Sequence, residues 1–361
     1  MNAPHPSIFI APEHTAILRD NAADGEALGM LNPAQLELVY QQKWFKLLVP
    51  WKYDGHGKTL PELVRLQEAI SWADGSAGWV VTLCCGAGWF GGFISPGIAV
   101  QIFNTPQVCL AGSGAVSGTA EVIDGGYRLN GTWKYASGAY HATHFTANCL
   151  IKKDGETLME HGDKPWVLPF IIDKKDVTLL PTWKYVGMVA TGSHSFNIDN
   201  VEVAEDRCFH IDPHYAEVDN PLYQYPFLQL AEATLAVNLS GMAVHFTDLC
   251  KDIFEERKKQ PKLTDAHKAQ LDEVLQFTVS GLQAARDALF AAVDASWAQP
   301  GEDELKAVSK TSRHLAITSR EAVDRLYPYC GLMAAAPDTE TNRVWRDLHT
   351  AGQHALLTFA E

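Results

Sequence analysis

Hydrophobic and polar positions change period twice along the chain, and the two changes divide it into three parts. From about Ala11 to Phe103, apolar residues recur at three- and four-residue intervals, the mark of amphipathic helices. Asn32-Pro33 reads as an N-cap followed by proline at the first helical position, and Pro61 opens a second helix through Leu63, Leu66, Ala69 and Ile70. The stretch from Ala77 to Val100 is apolar but broken by glycines and Pro96, so it predicts a buried helix followed by a tight loop. From Val108 to about Phe209 the pattern becomes short runs rich in Val, Ile, Thr, Tyr and Phe between Asp-Gly-Gly, Asn-Gly, Lys-Asp-Gly and Asp-Asn turns, which predicts a β domain. Asn130-Gly131 within GGYRLNGTWKY is expected to form a hairpin turn, because both turn positions need positive φ. Beyond a connector from Pro213 to Pro226, helical spacing returns through Leu271, Val274, Leu275, Val279, Leu282 and Ala285. The expected domains are 1–107 (helical), 108–212 (β) and 213–361 (helical).

Composition narrows the classes of function. A formal charge of −14 argues against a nucleic-acid or anionic-membrane footprint, both of which select Lys/Arg-rich surfaces. The start of the chain lacks the pattern of a signal peptide, and no stretch approaches the ~20 apolar residues that span a bilayer. The seven cysteines (84, 85, 109, 149, 208, 250, 330) are an odd set without CxxC spacing and read as reduced thiols, in keeping with a cytoplasmic protein. Several leads fail on spacing. Gly57-Lys58-Thr59 lacks the upstream glycine of a phosphate loop, His141 and His144 lack a nearby third metal ligand, and no GxSxG elbow is present.

The order helix, β, helix, together with PWKYDGHG (50–57), AISWADGSAGWV (69–80), KYASG (134–138), TWKYVGMVATGSHSF (182–196) and VWRDLHTAGQHALL (344–357), resembles the acyl-CoA dehydrogenase superfamily. Within it, the chain is similar to the two-component, group D flavin-dependent monooxygenases, which receive reduced flavin from a separate reductase. The resemblance implies an α+β multidomain fold: an N-terminal helical domain, a middle β-barrel or sandwich domain and a C-terminal four-helix bundle. It also implies bound FAD or FMN in reduced form, a small-molecule acceptor, a flavin reductase partner and a homotetramer.

The same resemblance assigns candidate residues. Ser137, preceded by the aromatic Tyr135, falls where the family sets a hydroxyl against the flavin ring; the other reading is a serine satisfying a strand-end backbone group. Gly112 to Gly118 falls where relatives place a loop whose amides hold the flavin, with Gly112, Ser113 and Ser117 as contributors, or it is an ordinary turn between strands. Trp183 either walls the flavin or packs in the core, and His194 beside it is expected to face solvent. Arg313, placed early in a helix from Lys310 to Val323, either meets a flavin phosphate or forms an ion pair.

Acyl-CoA dehydrogenases carry a catalytic Glu after an Arg-Asp pair. Counting from Arg346-Asp347, this chain has His354 there, the residue that monooxygenase relatives carry. An imidazole with an ordinary pKa of ~6.5 serves as base or donor near neutrality; the alternative is a packed helix histidine. Aromatic hydroxylases of this branch present a second His where Ala87 stands here, so the acceptor is left open as small and apolar or aromatic. Trp89, Phe90 and Tyr140 are the expected substrate-pocket residues. A flavin dehydrogenase or oxidase on a non-CoA substrate, and a cofactor-free binding or scaffold protein of the same fold, are the alternative functions.

Overall fold

Helix caps explain where the N-terminal elements begin. A computed structural model describes residues 2–160 and 162–358. Six helices come first: α1 (Pro12–Asp20), α2 (Ala22–Leu28), α3 (Pro33–Gln41), α4 (Leu60–Ala73), α5 (Gly75–Gly88) and α6 (Pro96–Phe103). Asn32 and Thr59 each close a capping box, with Gln35 and Glu62 returning the bond, and Asp74 caps α5 through Ala77 N. These local side-chain bonds satisfy amide donors that no preceding turn can reach. The α4 and α5 helices meet closely: a Cβ on Gly78 would lie 2.4 Å from Ser71 Oγ.

Nine strands follow: β1 (Leu110–Ile123), β2 (Gly126–Ala136), β3 (His144–Lys153), β4 (Glu156–Thr157), β5 (Met159–Glu160), β6 (Lys164–Pro165), β7 (Val167–Asp173), β8 (Thr178–Leu180) and β9 (His194–Ala204). Seven of them form one sheet in the order β4-β3-β1-β2-β9-β8, with β7 also paired to β3; β1 and β3 run parallel and the other pairs antiparallel. The sheet has its own core, built on Trp133, Phe145, Phe170 and Phe196.

Asn130-Gly131 does not turn the chain. The β2 strand runs through it unbroken, and the turn lies at Asp124-Gly125, where Gly125 takes φ +75°. The reason is packing across the sheet. Gly118 and Gly131 are register partners, and the Trp133 ring covers both, so a Cβ on Gly118 would come within 2.1 Å of that ring. Likewise, Gly112 to Gly118 is not a loop: it lies inside β1, where two register shifts against β3 bulge the strand and Ser113 Oγ accepts from Ala115 N. A Cβ on Gly112 would fall 2.0 Å from Thr146 Oγ1, which is why glycine stands there.

The last part contains α7 (Pro221–Gln224), the long helices α8 (Phe227–Lys258), α9 (Asp265–Ala298) and α10 (Glu302–Leu326), then α11 (Glu340–Ala351) and the short α12 (Ala355–Thr358). By length and composition α8 could cross a membrane, but 78% of its most apolar window is buried among the other helices. Of the spaced apolar positions on α9, Leu271, Leu282 and Ala285 are buried, whereas Val279 is exposed. Buried charge is paired here: Arg286 Nε and Nη2 each donate to Glu68 at 2.8 Å, joining α9 to α4.

Candidate active site

The end of β2 meets α5 and the strap between β8 and β9. Tyr135 adopts φ +67°, an uncommon left-handed conformation for a non-glycine residue, and Gly138 takes φ +75°. Between them the chain turns so that Gly138 N donates to Thr191 O at 2.8 Å and a Cβ on Gly138 would lie 2.8 Å from Cys84 Sγ on α5. This turn buries Ser137, whose hydroxyl sits in a chain of polar contacts. Trp79 Nε1 donates to Ser137 Oγ at 3.2 Å, Ser137 Oγ and Ser193 Oγ are 2.8 Å apart, and Ser193 Oγ and Thr191 Oγ1 are 2.7 Å apart. Thr191 Oγ1 then donates to Met188 O at 2.7 Å.

His354 reaches the same place from the other end of the chain. It lies between α11 and α12, and its ring meets the Trp79 ring edge-on at 6.0 Å. Among the described residues Nδ1 of His354 is buried without a hydrogen-bond partner, and burial pushes the imidazole pKa below its ordinary value. An imidazole kept neutral with a free nitrogen can take up a proton from a ligand beside it.

Trp183 and Tyr185, on the strap, form with Tyr135 an aromatic group that includes exposed ring surface. The rings of Trp183 and Tyr185 are 4.2 Å apart, and Tyr135 lies edge-on to Trp183 at 6.2 Å. The Trp183 indole is tethered by its Nε1 bond to Met188 O at 2.8 Å. His194 does not face solvent: it is 7% exposed, its Nδ1 accepts from Trp183 N at 3.0 Å, and its ring packs against Tyr140. Its job there is to hold the start of the strap, so a neutral, buried tautomer suits it.

The structure therefore brings Ser137, Tyr135, Trp183 and His354 to one region and leaves other candidates elsewhere. Trp89 is buried in a cluster with Phe90, Phe93, Tyr223 and Phe227, and its indole donates to Leu222 O. Neither Trp89 nor Phe90 meets the rings of Trp79 and His354, whereas Tyr140 packs on the strap beside Gly192 and His194, next to Thr191 and Ser193. Ser113 and Ser117 ride on the bulge of β1. Arg313 lies in the middle of α10 rather than near its start, and its Nη1 donates to the buried Glu232 of α8 at 2.5 Å. Sequence reasoning passed over Trp79, although it stands in the AISWADGSAGWV segment; a lone tryptophan in a buried helix gives no sign of which hydroxyl it will meet. Asp347, the acidic half of the Arg-Asp pair, is buried and accepts from Met188 N, a contact that no local pattern signals.

Residues 233–359 match the family model described as "Acyl-CoA dehydrogenase, C-terminal domain". The chain is 26% identical over 322 residues to the indole-3-acetate monooxygenase of Pseudomonas putida, covering 87% of this chain and 80% of that protein. It is 25% identical over 368 residues to HsaA of Rhodococcus jostii, the oxygenase subunit of a flavin-dependent monooxygenase, covering 94% and 91% respectively. Among solved structures, XiaF from a Streptomyces species, in complex with FADH2 and glycerol, superposes with a TM-score of 0.85 at 22% identity, covering 96% of this chain and 89% of that one.

Proposed function

We propose that the chain, whose C-terminal part matches the acyl-CoA dehydrogenase family model and whose relatives include flavin-dependent monooxygenases, is the oxygenase of a reduced-flavin-dependent monooxygenase acting on a small aromatic or apolar acceptor. The observation that carries this reading is the line from His354 through Trp79 to Ser137, Ser193 and Thr191. It holds neutral donors and one imidazole where a dehydrogenase of this superfamily needs a carboxylate base. The two relatives named as monooxygenases support the activity, with reduced FAD or FMN as the cofactor.

The buried hydroxyls of Ser137, Ser193 and Thr191 fit a bound ring system, and the buried, unpartnered His354 Nδ1 fits an acceptor beside it. In this reading Ser137, Ser193 and Thr191 line the flavin, and Trp183 with Tyr135 covers it. When bound, reduced flavin supplies the electrons that activate O2. The residues do the rest. Thr191 Oγ1 spends its one proton on Met188 O, so Ser193 donates to Thr191 and Ser137 to Ser193; with Trp79 also donating to it, the Ser137 oxygen is fixed with a lone pair left to accept from a ligand N–H. His354, neutral near pH 7, takes the proton from a phenol-like acceptor. The aromatic walls exclude water, which keeps oxygen transfer coupled to electron supply. A separate flavin reductase is the expected partner, since HsaA is named as an oxygenase subunit.

Anaerobic titration with oxidised and photoreduced FAD and FMN tests this. Preferential binding of reduced flavin, followed on admission of air by oxygen incorporation into a phenol or indole, is the expected result. Tight binding of oxidised flavin with direct reduction by substrate would overturn it in favour of a dehydrogenase.

A further inference from the structure

Two consecutive residues of α11 grip the strap between β8 and β9 by its backbone. Met188 N donates to Asp347 Oδ1 at 2.5 Å, and Arg346 Nη1 donates to Val186 O at 2.7 Å. Between these two bonds lies Gly187, so close to the helix that a Cβ there would fall 2.1 Å from Arg346 O. Met188 is held from its other side as well, since Trp183 Nε1 and Thr191 Oγ1 both donate to its carbonyl, at 2.8 and 2.7 Å. The residue so fixed takes φ +54°, a left-handed conformation that an unrestrained methionine rarely keeps.

The grip is itself braced. Asp347 is 3% exposed, and its second oxygen accepts from Ser76 Oγ in the first turn of α5 at 3.4 Å. Arg346 Nε donates to Asn342 Oδ1 at 2.7 Å, Nη2 donates to Pro337 O at 3.2 Å, and the guanidinium pairs with Glu26 of α2. Moreover, α11 ends at Ala351 and His354 follows three residues later. One helix thus sets both the strap that bears Trp183, Thr191 and Ser193 and the imidazole that faces Trp79.

We propose that Asp347 is a positioning residue: by accepting from the Met188 amide it fixes the hydroxyl pair Thr191 and Ser193, and the Trp183 ring, in register with His354. The role in flavin binding rests on the reading of this region as a flavin site; the hold on the strap does not. Removing the acceptor leaves a buried amide unpaired and frees a strained residue to relax, and the hydroxyl chain loses its anchor at Met188 O.

Amide hydrogen exchange of the flavin-free protein, followed by anaerobic titration with photoreduced FAD, tests the proposal on the wild type and on Asp347→Ala, Asp347→Asn and Gly187→Ala. Exchange over residues 183–193 is expected to quicken by about tenfold or more in Asp347→Ala. Asp347→Asn keeps an oxygen for the Met188 amide and is expected to stay near the wild type. Gly187→Ala pushes the strap off α11, since its Cβ would fall 2.1 Å from Arg346 O and 2.7 Å from Asp347 N, and leaves the Asp347 carboxylate unchanged; it should match Asp347→Ala and tests the hold of α11 on the strap if that variant fails to fold. Affinity for reduced FAD is expected to fall about tenfold in the same two variants. Unchanged exchange in Asp347→Ala, equal losses in the Ala and Asn variants, or faster exchange with undiminished flavin affinity would overturn the proposal. If the wild-type strap is protected but the wild type binds no reduced flavin, the flavin reading fails while the exchange result still judges the hold on the strap.

Discussion

Trp79 stands between Ser137 and His354: its indole nitrogen donates to the Ser137 hydroxyl at 3.2 Å, and its ring meets the imidazole at 6.0 Å. Ser137 ends a strand of the middle sheet, Trp79 lies on an N-terminal helix and His354 follows the last long bundle of helices. All three parts of the fold therefore contribute to one contact chain, and a change at its centre should be felt at both ends.

Trp79→Phe keeps most of the ring but removes the donor to Ser137. Product formation per flavin oxidised should fall by about tenfold or more, with the difference released as hydrogen peroxide. Comparing peroxide yield with product yield in wild type and variant checks this; unaltered coupling would show that the Ser137 hydroxyl needs no fixing.

His354→Ala should leave reduced-flavin affinity within a few-fold of the wild type and lower the rate of product formation by about 10²–10⁴, the range for loss of a proton-transfer group. Burial already lowers the His354 pKa, so the wild-type rate should be level between pH 7 and 8 and decline only below the ordinary imidazole value of ~6.5. A rate that rises from pH 6 to 8 through a midpoint above 7 would contradict the assigned environment.

Stability should change on acidification. Burial lowers the pKa of His56, His141, His144, His194, His245 and His354, with His141 reaching about 4. For each, the unfolded chain binds more protons once the pH drops through about 6.5, so stability is lost downward from there until the folded pKa is passed. The buried Asp347 carboxyl, raised to about 7, works in the opposite sense over the same window, as does Asp74. Urea midpoints at pH 7.5, 6 and 5 read the balance of the two sets, with a decline in that order expected if the histidines dominate. A His141→Gln variant should show a shallower decline.

Gly118→Ala introduces a Cβ 2.1 Å from Trp133, which is fully buried and stacked on Phe196. An overpacking cost of about 1–3 kcal/mol is expected in denaturant unfolding, and a Gly118→Ala/Trp133→Phe double variant should recover part of it.

Glu68→Ala strands the Arg286 guanidinium in the core, where both partners are nearly inaccessible to water. A loss of about 3–5 kcal/mol is expected. Glu68→Gln, which still offers an oxygen to Arg286 Nε, should lose less, and the two unfolding curves measured side by side decide between them.

What the sequence determined by itself was local. The capping boxes at Asn32 and Thr59, the proline starts at Pro33 and Pro61, the change of period near Val108 and the return to helical spacing after Pro226 depend on residues within a few positions of each other, so a one-dimensional pattern carries them. The assignment of His354 came instead from the resemblance of the segment after Arg346-Asp347 to a family, not from a local pattern. Tertiary structure decided what depends on residues far apart in the chain. Asn130-Gly131 has turn chemistry, but a tryptophan two residues on and a glycine on the neighbouring strand make it continuous β, because the ring needs the room that two absent Cβ atoms provide. His194 looked like a solvated turn residue until Trp183 N found its Nδ1. Arg313 found Glu232 on another helix, and Trp79 found a hydroxyl 58 residues away. In each case the free energy comes from a partner that hydrophobic period and residue type do not specify, since burial selects which faces meet and only the packed geometry selects which atoms do.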